Sequence, residues 1–85
     1  MALVVRTDGS VTELLPIAPA TALSLEQLQH AVEGYIEVLP LADGGWAVCN
    51  EEGRLIGMPY NELASVMVQR SLCGPVVLCD RAEVE

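Results

Sequence analysis

Phenylalanine and lysine are absent from this chain of 85 residues, and histidine and tryptophan occur once each, at His30 and Trp46. Without phenylalanine, and with Tyr35 and Tyr60 the only other aromatics, the core has to be built from Leu, Val, Ile, Ala and Met. Without lysine, the four cations are all arginines (Arg6, Arg54, Arg70 and Arg81), set against 12 acidic residues for a net charge of -8. So acidic a body repels phosphate backbones and anionic lipid surfaces, which argues against direct binding to nucleic acid or membrane. The same charge either keeps an apolar chain soluble or imitates a nucleic acid toward a basic partner.

With one histidine, no Ser-His or Cys-His pair can be drawn without His30, and helical spacing puts His30 on a polar face between Glu26 and Glu33. Cys49, Cys73 and Cys79 form an odd set with no C-x-x-C pair, which fits neither a zinc site nor a disulfide framework. They read as small buried hydrophobes in a reducing cytoplasm. No apolar run approaches membrane-spanning length, and Met1 to Arg6 is too short for the core of a signal peptide. The expectation is a cytoplasmic, non-enzymatic protein with no catalytic residues, no metal and no cofactor. It forms one domain, residues 1–85, large enough for a core but short of a sheltered cleft as well.

What is present reads as a small α+β domain of order ββαβββαβ, a mostly antiparallel sheet with two helices on one face. Ala2–Arg6 and Val11–Leu15 flank an Asp8-Gly9 turn and should form a hairpin, which Pro16 and Pro19 end. Ser24 with Gln27 is a capping box opening a helix from Leu25 to Glu33, stopped at Gly34. The strand Tyr35–Leu39 follows at once. Its alternation puts Ile36 and Val38 on one face and Tyr35, Glu37 and Leu39 on the other. Asp43-Gly44-Gly45 turns into Trp46–Cys49, and Arg54-Leu55-Ile56 is expected to pair back as a short strand. Asn61 caps a weaker helix to about Arg70, Val76–Cys79 is the last strand, and Asp80–Glu85 reads as a frayed tail.

Three strands (Leu3-Val4-Val5, Trp46–Cys49 and Val76–Cys79) are apolar on both alternate sets of positions, whereas a sheet with one wet face should alternate. Two short helices on one face leave the other to be buried against a second copy, so a homo-oligomer is expected. Glu37, inside an otherwise apolar strand, either faces Arg6 across an open sheet face or accepts hydrogen bonds from a ligand or partner. Turn chemistry explains Asn50-Glu51-Glu52-Gly53, and capping explains Asn61. Trp46, beside Gly44-Gly45, is a core plug or an exposed stacking surface. The glycine pair lacks the context of a phosphate loop.

Val4-Val5-Arg6-Thr7-Asp8-Gly9, Val32-Glu33-Gly34-Tyr35-Ile36-Glu37-Val38, Asn50-Glu51-Glu52-Gly53, Pro59–Ala64 and Gly74–Val77 together span nearly the whole chain. In these segments it resembles a family of small uncharacterised proteins encoded by phages, plasmids and bacterial genomes, a domain of unknown function with a Gly-Tyr-Ile-Glu-Val core. The resemblance implies a phage or mobile-element accessory protein in the host cytoplasm. Small phage proteins of this size act in counter-defence as oligomeric sponges for nucleotide signals or as blockers of a host enzyme. Position by position it points to Gly34, Tyr35, Glu37, Asn50, Glu51, Asn61 and Ala64. Gly34, Asn61 and Ala64 serve the fold, which leaves Tyr35, Glu37, Asn50 and Glu51 facing a small nucleotide-like ligand or a host protein. Arg6 and Arg54 would supply phosphate-binding cations, and Trp46 a stacking surface. The alternative is an acidic decoy of a nucleic-acid-binding host protein, using Glu26, Glu33, Glu51, Glu52 and Glu62.

Overall fold

The structure, a computed structural model, describes residues 1–84. At the Asp8-Gly9 turn, Arg6 N–H donates to the Ser10 carbonyl at 2.9 Å and Ser10 N–H to the Asp8 carboxylate at 2.8 Å. Gly9 adopts φ 88°, the left-handed conformation that a tight hairpin needs and that glycine takes without penalty. This hairpin joins β1 (Leu3–Val5) to β2 (Val11–Glu13). A second one joins β3 (Ile36–Pro40) to β4 (Gly45–Asn50). β5 (Val76–Asp80) enters between the hairpins and pairs antiparallel with both β1 and β4, giving the order β2-β1-β5-β4-β3.

Helix α1 (Leu25–Val32) opens with the expected capping box: Gln27 N–H donates to Ser24 Oγ at 3.1 Å and Ser24 N–H to Gln27 Oε1 at 3.3 Å. It ends at Val32, one residue short of the expected Glu33. Glu33 takes the left-handed turn, at φ 64°. Gly34 is needed for another reason: a Cβ there would lie 2.7 Å from the Asn50 amide nitrogen. Helix α2 (Glu62–Val68) is capped by Asn61, whose Oδ1 accepts the Ala64 N–H at 3.1 Å.

The α+β class, the antiparallel sheet and the two helices stand as the sequence indicates, but the helices lie on opposite faces. Leu28 and Val32 of α1 pack with Val4, Val48 and Val77, whereas Ala64 of α2 packs with Val5, Ala47, Cys49 and Val76. Each central strand thus contributes alternate residues to two cores, which is why its sequence does not alternate. The premise of one bare sheet face is overturned, since α2 covers part of it. Among the described residues there are also five strands, not six. Arg54-Leu55-Ile56 lies in a turn between Gly53 and Met58, closed by Met58 N–H donating to the Gly53 carbonyl at 2.9 Å. A glycine is required at position 53, where a Cβ would meet the Cys73 carbonyl at 2.9 Å. The tail is not frayed: Asp80 completes β5, Arg81–Glu83 forms a 3-10 turn, and Leu23 N–H donates to the Glu83 carbonyl at 2.8 Å. The tail's last residue, Glu85, lies outside the described residues.

Candidate functional site

Helix α1 lies over β3, β4 and β5. The β1 end of that face is left as an open groove of about 800 Å³ between α1, the β1–β2 hairpin and the connection after β2. Its floor is apolar, from Val4, Leu14 and Ala31, with the largely exposed Ile17 also lining it. Its rim is charged, because the i, i+4 and i+3 spacings of Glu26, His30 and Glu33 align them along α1, facing Arg6 and Asp8 of the hairpin. The Arg6 guanidinium donates to Thr12 Oγ1 at 2.6 Å. Hydrogen bonds from Ser10 hold the Asp8 carboxyl below its ordinary range, so this acid stays ionised. Among the described residues, the ion pair within 4 Å is that of the Met1 ammonium with Glu83, at 3.0 Å. The rim carboxylates Asp8, Glu26 and Glu33 are therefore outside any such pair, and Arg6 is the one arginine lining the groove with them.

A smaller hollow of about 360 Å³ lies where β3 and β4 meet the turn after β4 and the segment Ser71–Cys73. It brings together four of the residues singled out above: Glu37, Asn50, Glu51 and Arg54. The Asn50 amide is spent on the fold. Its Nδ2 donates to the Val32 carbonyl at 3.0 Å and its Oδ1 accepts the Glu52 N–H at 2.8 Å, tying the end of α1 to the turn after β4. Glu37 is exposed on the α2 side of the sheet, as its alternation requires. It is not opposite Arg6, because β3 is an outer strand and β5 and β4 separate it from β1. Its neighbour is Cys49, whose Sγ lies 4.0 Å from Glu37 Oε1 and 3.8 Å from the Glu37 carbonyl. Burial first, and then the Glu37 carboxylate, push the Cys49 thiol up.

The remaining residues are dispersed. Tyr35 is exposed beside the small hollow, with its carbonyl accepting the Glu51 N–H at 2.9 Å. Trp46 is half-buried against the α1 core, the plug of the two readings offered for it. Arg6 and Arg54 line different hollows, so they do not form one phosphate-binding pair. The α1 groove was not anticipated. Glu26, His30 and Glu33 were legible as one polar face, but no spacing reveals that Arg6 and Asp8, some twenty residues earlier, come round to meet them.

Among the described residues no helix is long and apolar enough to cross a membrane, and no group of three or more His, Cys, Asp or Glu could hold a metal ion. An antiparallel sheet with one helix on each face, an acid-rimmed groove on the first and a short helix on the second, defines a small layered α+β domain. Over residues 1–85 the chain matches the family model of a domain of unknown function, DUF3846, and it belongs to that family. No curated protein and no solved structure matches it.

Proposed function

We propose that this chain is a non-enzymatic accessory protein of a phage or other mobile element, acting in the host cytoplasm by holding a basic, amphipathic segment of a host protein in the α1 groove. The observation that carries this reading is the make-up of the groove, an apolar floor under a rim where Asp8, Glu26 and Glu33 outnumber Arg6. Apolar side chains of a partner gain about 25 cal/mol for each Å² of floor they cover. The rim carboxylates break no internal ion pair to receive the partner's cations, and the net charge of -8 steers those cations in. This is the host-protein reading with a defined surface; of the five carboxylates expected for an acidic decoy only Glu26 and Glu33 line the groove, while Glu51 and Glu52 line the small hollow and Glu62 lies at α2. Sequestration of a nucleotide-like ligand ranks below it, since phosphates around Arg54 in the small hollow would meet Glu37, Glu51 and Glu52.

The protein immobilised in extract of a host cell should retain a basic protein at low salt and release it between about 0.1 and 0.5 M salt, as screening shortens the reach of the rim. The double variant Glu26→Lys/Glu33→Lys should retain none. A small molecule held through native mass spectrometry, and held equally by the double variant, would replace this reading with ligand sequestration.

A further inference from the structure

The α1 groove lies on a face of the sheet, where a guest chain finds side chains beneath it and no free backbone. β1 is paired on both sides, by β2 and β5, and none of Val11–Glu13 of β2 lines the groove, so the free edge of the sheet lies outside it. An extended guest would press its own N–H and C=O groups onto Val4, Leu14 and Ala31 with nothing to bond them, at a cost comparable to the hydrogen bonds it gave up in water. A helix bonds these groups internally and turns only side chains to the floor. The space has the matching size. α1 covers β3, β4 and β5, and the strip left at β1 and the end of β2 is about two strand spacings, or roughly 10 Å, which is the diameter of a helix with its side chains. Sunk to half its girth, a helix of about three turns fills the groove's volume of about 800 Å³. It would also cover Ile17, which is 70% exposed. The rim sets the charges on the guest. Glu26 and Glu33 are seven residues apart along α1, and a helix lying beside α1 repeats its own flank at that interval, so cations seven residues apart meet both carboxylates. Asp8 faces them from the hairpin and receives a cation on the guest's other flank. We infer that the groove takes its host segment as an amphipathic α-helix, with an apolar stripe on the floor and arginine or lysine seven residues apart on the flank toward α1. This rests on the host-protein reading above and gives that partner its form.

The probe is a synthetic peptide of about 14 residues, short enough to be unfolded alone, with leucine at i, i+3, i+4 and i+7 and two arginines seven residues apart on one flank. Titrated with the intact protein at low salt, it should bind and gain helical circular dichroism. Proline at its centre should weaken binding by roughly tenfold or more, and moving one arginine to the opposite face of the helix by about threefold. The Glu26→Lys/Glu33→Lys protein should induce no helix. No binding of the parent peptide, binding without gain of helix, a proline peptide that binds as tightly, an arginine shift without effect, or helix induced equally by the double variant would overturn the inference. If host extract still yields a basic protein in any of these cases, the host-protein reading stands with its partner held in another form; if it yields none, both fall.

Discussion

Asn61 is fully buried and its side chain makes three hydrogen bonds: Nδ2 donates to the carbonyls of Val5 and Gly74, each at 2.9 Å, and Oδ1 accepts the Ala64 N–H. One amide thus starts α2, ends β1 and holds the glycine turn before β5. Alanine there removes a cap worth about 1 kcal/mol and strands two buried carbonyls at about 1–3 kcal/mol each. Asn61→Ala should lose about 3 kcal/mol or more in urea unfolding, a large share of what a small domain has. Asn61→Asp keeps the cap but points a carboxylate at both carbonyls. It should be no more stable than the alanine variant, and recovery of stability by aspartate would show that the cap alone matters.

Helix α1 is held by its own capping box and by Leu28 and Val32, both buried, so sequence and packing agree on it. Helix α2 buries only Ala64 and Ser65 and has β-branched Val66 and Val68 in its seven residues. It is placed instead by Asn61 and by the Ser65 hydroxyl, which accepts the Leu72 N–H at 2.9 Å. It ends at Gln69 with φ 62°, a left-handed turn that strains any residue with a Cβ. Gln69→Gly should raise stability by about 0.5–1 kcal/mol, or roughly 4 °C in melting temperature for a domain of this size. Gln69→Ala, which keeps the Cβ, should give no gain, and equal melting temperatures for the two variants would rule out strain at this turn.

The molecule as a whole repels itself, with a net charge of -8 and, among the described residues, one ion pair within 4 Å, that of Met1 with Glu83. Sodium chloride screens exposed charges beyond a Debye length of about 10 Å at 0.1 M and about 3 Å at 1 M. Thermal stability should therefore rise by a few degrees between low salt and roughly 0.5 M, where an uncharged surface would show little change. A flat or falling melting temperature would mean that the carboxylates are paired in solution. Screening should meanwhile release the partner proposed for the α1 groove, so the same salt series strengthens the fold and weakens its proposed interaction.

The elements were legible in the order of residues because their signals are local: Asp8-Gly9 closes a hairpin, Ser24 with Gln27 opens α1, Asn61 opens α2, and alternation assigns Ile36 and Glu37 to opposite faces. The two-sided apolar character of the central strands was legible too, but the source of its cover was not. Local pattern shows that a face is buried and is silent on what buries it, so a second copy was expected where α2 lies instead. Asn50 shows the same limit. Turn chemistry explained its presence, whereas its bond to the Val32 carbonyl, 18 residues back, exists only once α1 has docked. The α1 groove depends on that docking as well. Its walls come from segments that sequence spacing cannot relate, brought together because α1 settles over β3, β4 and β5 and leaves the β1 end of the sheet uncovered.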